Sequence, residues 1–299
     1  YLTDKKDFNG RVLYSEIPWG TDTGRLASGE HPFWCGANIQ NIPRGKAVKQ
    51  TMRADTGFVF CESDLEQAES RDTAHIAGEE RMIAAVCGER DFHSVNAAAF
   101  FGVTYESIFD QAQYKSLNKA LRDLAKRVNH GANYNMGPGV LVDTMGQAKI
   151  FEAKRLLGLP NSYREKEIAQ HLLGSFHKAY PGLAANYYSY VKHAVATTKK
   201  LIGATGWTRY CFGDPVTNKQ HLNAYIAHCP QSLNAMTLNK AFMEVFYNIA
   251  MNPQYCDDFK LLAQIHDSIL FQFRKGRTDI AAMVKDCMEI PVTITGCDG

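Results

Sequence analysis

Several things are missing from this sequence. No apolar run approaches the roughly 20 residues needed to span a bilayer. The opening Tyr1-Leu-Thr-Asp-Lys-Lys has neither an initiator Met nor the apolar stretch of a signal peptide. No membrane association is expected, and the start reads as a cut in something longer. The eight cysteines (Cys35, Cys61, Cys87, Cys211, Cys229, Cys256, Cys287, Cys297) contain no C-x-x-C pair and no zinc-ligand spacing. Free thiols in a reducing, intracellular setting are the simplest account. Internal repeats and low-complexity tracts are absent as well. Charge of one sign is not in excess: 33 basic against 31 acidic residues leave +2. Net charge therefore does not announce nucleic-acid binding, and local patches must supply it.

What is present is an ordinary globular composition, 45% hydrophobic and 21% charged over 299 residues, enough to bury a sizeable core. Basic residues cluster at Arg44, Lys46, Lys49 and Arg53, and again at Lys115, Lys119, Arg122, Lys126 and Arg127. Carboxylates gather between Glu62 and Asp72. Such segregation suits metal cations held beside a polyanion, and solvated charge clusters fit it too.

Residues 1 to about 57 are rich in Gly, Pro and short polar runs and read as strand and loop. Phe58-Val-Phe-Cys-Glu-Ser63 has the content of a buried strand that ends at Asp64 and leads into a helix-prone stretch. A carboxylate there is either a helix cap or a group held at a sheet edge for chemistry. From Arg71 to about Lys200 the pattern is mainly helical. Gly203-Ala-Thr-Gly206 reads as a hairpin turn, and Ala235 to Met251 as an amphipathic helix with Met236, Leu238, Phe242, Val245, Phe246 and Ile249 as core positions. Finally, Leu261 to Phe273 holds two apolar runs around His266-Asp267-Ser268, a hairpin with Asp267 at or near its turn.

Arg122, Lys126, His130 and Tyr134 form a row at four-residue steps. On a helix it drifts about 40° per step and climbs about 18 Å. Cationic donors come first and flat rings second, the order in which a nucleoside triphosphate presents phosphates, then sugar and base. An exposed basic helix accounts for the same row.

Three segments in order, Asp64-Leu-Glu-Gln67-Ala-Glu69-Ser-Arg71, Arg122-x3-Lys126-x3-His130-x3-Tyr134 and Gln264-Ile-His266-Asp267, together resemble the A-family DNA polymerases, the class of bacterial DNA polymerase I and many phage replicases. Lesser landmarks agree in register: Thr23-Gly-Arg25-Leu-Ala-Ser, Asn38-Ile-Gln40-Asn41-Ile-Pro43, Asp91-Phe-His93, Phe101-Gly102, Tyr180-Pro181-Gly182 and Gln231. The resemblance runs from about residue 23 to about residue 275, and the phage type is the expected variety.

The resemblance implies an α+β right-hand polymerase fold, with an antiparallel palm sheet and an inserted helical fingers subdomain. Palm is expected at 1–72 and 201–299 and fingers at 73–200, with the thumb and 3′–5′ exonuclease domains absent. The implied function is template-directed DNA synthesis in the cytoplasm of a bacterial or phage-infected cell, an organelle being the other setting. The implied partners are primer-template DNA and deoxynucleoside triphosphates, with an upstream thumb or exonuclease region or a processivity partner in addition. Two Mg2+ ions, with Mn2+ able to substitute, are the implied cofactors. By the same resemblance Asp64, Asp267 and the Leu65 carbonyl are metal ligands, and Lys126 is catalytic beside the two aspartates. His93, Arg122, Lys126, His130, Tyr134, Glu69 and Gln67 bind the nucleotide, and Glu69 blocks a ribose 2′-hydroxyl. Arg25, Asn38, Gln40, Arg71, Gln231 and His266 contact primer-template. A single-subunit RNA polymerase and a catalytically silent polymerase-like subunit are the rival readings. Glu69 argues against the first, and retention of Asp64, Asp267 and Lys126 against the second.

The chain departs from the family pattern in places. His130 stands where Phe or Tyr is usual, which implies a pH-sensitive Michaelis constant. Ser268 replaces the usual Glu after Asp267, Asn135 the usual Gly after Tyr134, and Ala227 a frequent Asn before Gln231.

Overall fold

The computed structural model describes residues 9–18, 20–30, 36–43, 48, 50–214 and 218–294. Arg44, Lys46 and Lys49 of the first basic cluster, the opening six residues, Cys35 and Cys297 lie outside the described residues. The six described cysteines carry free thiols. No described helix is long and apolar enough to cross a membrane.

In chain order the elements begin with β1 (Ser15–Ile17), β2 (Ala27–Gly29), β3 (Phe58–Asp64), α1 (Ala68–Ala77), α2 (Glu80–Cys87) and α3 (Phe92–Phe101). Next come β4 (Phe109–Asp110), β5 (Lys115–Ser116), α4 (Lys119–Asn133), α5 (Pro138–Met145), α6 (Gln147–Leu156), α7 (Glu165–Ala179) and α8 (Ser189–Thr198). The last are β6 (Lys200–Ile202), β7 (Thr208–Tyr210), α9 (Lys219–Val245), β8 (Phe259–Ile265), β9 (Ser268–Arg274) and α10 (Thr278–Met288). Contacts divide the chain into two compact units, one drawn from Tyr1–Ala68 and Gln231–Thr293, the other from Glu69–Pro230 and Ile294–Gly299.

The first unit is built on an antiparallel sheet in the order β3-β9-β8. Strand residues alternate between faces, and directly paired residues share one. Val59, Cys61 and Ser63 pair with Phe273, Phe271 and Ile269. This face meets Leu238, Val245 and Ile249 together with Ile280, Val284 and Met288 of α10, forming one core. Each buried Phe or Leu there contributes about 1.5–3 kcal/mol. The opposite face follows by alternation: Glu62 pairs with Leu270 and Asp64 with Ser268. The expected antiparallel sheet made from both ends of the chain is thus present, with Asp64 on the face turned from the core.

The second unit is mainly helical, as its periodicity predicts, with the small hairpins β4-β5 and β6-β7 added. Asn118 caps α4, accepting from Leu121 N at 3.2 Å. Leu121, Leu124, Ala125, Val128 and Ala132 are its buried stripe, which leaves Lys126 and His130 exposed. The predicted turn at Gly203–Gly206 joins β6 to β7.

One expected element is corrected. The helix predicted over Ala235–Met251 begins much earlier, at Lys219, and runs through Pro230 to Val245, after which residues Phe246–Ala250 form a wider π turn. Proline removes one intrahelical hydrogen bond and bends a helix without always ending it. The apolar residues named for it divide: Leu238, Val245 and Ile249 are buried, whereas Met236, Phe242 and Phe246 are half-buried.

Candidate functional site

In the first unit the β8-β9 hairpin closes with two residues, His266 and Asp267, because Ile265 already pairs with Ser268. His266 sits in the left-handed region at φ 54, a conformation that a non-glycine residue keeps only where its surroundings fix it. The Leu65 N–H donates to the Asp267 carbonyl at 3.0 Å. The chain leaving β3 is thereby stitched to the turn, and Asp64, Leu65 and Asp267 are brought to one sheet edge. Arg25 Nη2 lies 4.0 Å from Asp267 Oδ1.

Part-buried polar bonds hold the Arg25 segment. Asn239 Nδ2 donates to the Gly24 carbonyl at 3.1 Å, and Gln264 Nε2 donates to Asn239 Oδ1 at 3.0 Å. Gln264 N–H donates to Glu16 Oε1 at 3.0 Å. Burial raises the Glu16 carboxyl above its ordinary range, with the Gln264 N–H opposing it. Glu16 and Asn239 escaped the sequence reading, since neither stands in a recognisable motif. Asn38 Oδ1 accepts from Gln40 N at 3.0 Å and Gln40 Nε2 donates to the Leu26 carbonyl at 2.9 Å, so both side chains shape their own loop. Gln231 is half-buried on α9, and His266 is exposed. Ser268 Oγ lies 2.9 Å from Glu62 Oε1 and 2.8 Å from the Ile265 carbonyl.

In the second unit Asp91 organises the cationic end of the row. Its Oδ1 caps α3, accepting from Ser94 N at 2.8 Å and Ser94 Oγ at 2.6 Å. Arg122 grips the same carboxylate with Nε and Nη2 at 3.0 and 2.7 Å. Burial alone raises the Asp91 carboxyl, but the bonds from Arg122 and Ser94 outweigh it and hold the group below the ordinary carboxylate range. An arginine has five N–H donors, and among the described residues two of those on Arg122 are bonded to Asp91.

His93, two residues on, is buried with Nδ1 3.1 Å from Asn129 Nδ2. With the amide donating, Nδ1 accepts and the ring proton is assigned to Nε2. Burial pushes this ring down to about 4, Asp91 opposing and Arg122, Lys126 and His130 reinforcing. His93 is therefore a neutral donor near pH 7.

At the other end of the row His130 Nδ1 is 3.5 Å from Glu69 Oε2 on α1, and its ring meets the Tyr134 ring edge-on with centroids 5.6 Å apart. Tyr134 caps α4. Asn133 Nδ2 donates to Ser70 Oγ at 3.0 Å, fixing α1 against α4. Gln67 occupies the left-handed region at φ 55 just before α1, and Arg71 is half-buried on it. The unit thus gathers the cations Arg122 and Lys126, a neutral imidazole donor, and a carboxylate beside the His130 ring, which itself meets Tyr134.

Among the described residues no group of three or more His, Cys, Asp and Glu side chains is gathered as a metal cluster. The oxygen donors at the first unit's sheet edge are two carboxylates and a backbone carbonyl. That sparse, hard set fits magnesium, which keeps several waters and takes one or two carboxylates together with substrate phosphates.

A family model described as DNA polymerase family A matches residues 3–295. The chain is similar to DNA polymerase I of Caldicellulosiruptor bescii, with 27% identity over 96% of this chain and 30% of that protein. It is also similar to the thermostable DNA polymerase I of Thermus thermophilus, with 25% identity over 90% of this chain and 29% of that protein. The chain thus spans about 30% of the length of these curated relatives. Among solved structures, the POL domain of Pol1 from M. smegmatis, in complex with DNA primer-template and dNTP, superposes with a TM-score of 0.74 at 20% identity. That match covers 98% of this chain and 47% of the other, and it shows the fold.

Proposed function

Since the chain belongs to DNA polymerase family A, we propose that it carries out template-directed DNA synthesis, adding a deoxynucleotide to a primer 3′-hydroxyl and releasing pyrophosphate. The observation that carries this reading is the sheet edge at which the Leu65 N–H to Asp267 carbonyl bond, 3.0 Å long, brings Asp64 and Asp267 together.

Asp64, Asp267 and the Leu65 carbonyl would hold magnesium, two ions in the full reaction. When bound, magnesium supplies Lewis-acid stabilisation of the charge that develops on the reacting phosphate and the leaving pyrophosphate. Arg122 offers the triphosphate rigid donors whose direction Asp91 sets, and Lys126 adds a mobile ammonium one turn on. His93 donates from Nε2 without adding charge. Preorganised donors of this kind are worth about 3–4 kcal/mol each in the transition state. Glu69, His130 and Tyr134 border the sugar, with Gln67 two residues before Glu69, and Glu69 excludes a ribose 2′-hydroxyl. Arg25, His266 and Gln231 contact the minor-groove edge of the primer end, where acceptors recur in every base pair. Asn38, Gln40 and Arg71 complete the primer-template contacts.

The test is extension of a primer annealed to a template of known sequence. Incorporation of the complementary deoxynucleotide alone supports the proposal. Failure to incorporate any, or incorporation that ignores the template, overturns it.

A further inference from the structure

Helix α4 buries one face through Leu121, Leu124, Ala125, Val128 and Ala132, and Asn129 is buried with them, 0% exposed. An amide enclosed in an apolar stripe costs folding free energy unless it is bonded. The bond it makes crosses to α3, where Asn129 Nδ2 lies 3.1 Å from His93 Nδ1. His93 is itself 7% exposed. The way the amide faces decides which ring nitrogen carries the proton. With Nδ2 donating, Nδ1 accepts, and a neutral ring must hold its proton on Nε2. Turned over, the amide would accept from Nδ1–H, leave both of its own N–H groups buried without acceptors, and make Nε2 a bare acceptor. In the observed orientation Asn129 Oδ1 is the buried amide atom without a partner among the described residues. An under-satisfied carbonyl is tolerated better than orphaned donors.

We propose that Asn129 is a positioning residue for the nucleotide: by donating to Nδ1 it fixes His93 as the Nε2–H tautomer, so that the ring turns a donor and not a lone pair to the triphosphate. This rests on the polymerase reading above. Burial pushes the His93 ring down to about 4, so near pH 7 it has one proton to offer and its location matters. An imidazolium would donate from both nitrogens, and the tautomer would be irrelevant. The two neutral tautomers are close in free energy, and one buried hydrogen bond selects between them. The wrong one sets the Nε2 lone pair against phosphate oxygens, acceptor against acceptor.

The experiment has two arms. In the first, nitrogen-15 NMR of the full chain with labelled histidine, at pH 7, reads which ring nitrogen of His93 is protonated, the ring being identified by its absence in His93→Gln. The Nε2–H form is expected, and an Nδ1–H ring in wild type overturns the inference. This arm needs no catalysis and holds even where a variant fails to fold. In the second, kcat/KM for a deoxynucleotide on one primer-template is measured for wild type, Asn129→Leu, His93→Gln and the double variant, with Tm checked for each. Asn129→Leu is expected to lower kcat/KM by about tenfold, the scale of one hydrogen bond. It should lower it little further once His93 is Gln, because residues that act as one unit are not additive. A folded Asn129→Leu with wild-type kcat/KM overturns the inference, and so does an equal loss in both backgrounds, which marks a packing role. Absence of incorporation by a wild type whose ring is in the Nε2–H form overturns the polymerase reading instead.

Discussion

Arg122 holds Asp91 through two parallel hydrogen bonds, from Nε to Oδ1 at 3.0 Å and from Nη2 to Oδ2 at 2.7 Å. The Asp91 side chain is almost wholly covered and the Arg122 side chain about three-quarters covered. Asp91→Asn keeps a side chain able to cap α3 but removes the charge that aims Arg122. It is expected to lower stability by about 2 kcal/mol in urea unfolding and to raise KM for the nucleotide more than it lowers kcat. Unchanged stability together with unchanged KM would count against Asp91 as the residue that sets the guanidinium.

His93 gives a pH signature. Its folded value is pushed down to about 4 from the ordinary 6.5, so between those values the unfolded chain binds the proton more readily. Stability is then greatest above about 6.5 and falls as the pH drops toward 4. Asp91 acts lower, its stabilising pair being lost only as the pH falls through its depressed carboxyl value. Ring-proton NMR should show His93 neutral at pH 6, and His93→Gln should flatten the stability profile between pH 4 and 6.5. A ring that titrates near 6.5 in the folded protein would contradict the burial argument.

Ser268 is tied to Glu62 at 2.9 Å on the face of the sheet that bears Asp64. Restoring the family's usual Glu here puts a second carboxylate against the first in a buried position, so like charge and desolvation act together. Ser268→Glu is expected to cost about 1–3 kcal/mol, and adding Glu62→Ala should recover most of it. A stable single variant, or no recovery in the double variant, would argue against the pairing.

What the sequence discloses and what it hides follow from how far apart the partners are. Strand β3 is legible because Phe58 to Ser63 is apolar and β-prone, and the Asp267 hairpin because polar residues interrupt two apolar runs. The row from Arg122 to Tyr134 is legible because its spacing is that of a helix. Asp91 is legible only as part of a short landmark, and its grip on Arg122, 31 positions away, leaves no local signal. Asn129 under His93 and Asn239 under Gln264 read as ordinary helix residues until the packing is known. The α9 boundary is hidden for another reason: Pro230 argues for a helix start, and tertiary packing overrides it.

The central claim is that Asp64 and Asp267 together support template-directed nucleotide addition. Magnesium-dependent primer extension by the purified protein, beside Asp64→Asn and Asp267→Asn, tests it most directly. The account predicts extension by wild type that chelation abolishes. Each variant should fold normally and be slower by about a thousandfold, a loss of about 4 kcal/mol of transition-state stabilisation. Extension by either variant at the wild-type rate would contradict it.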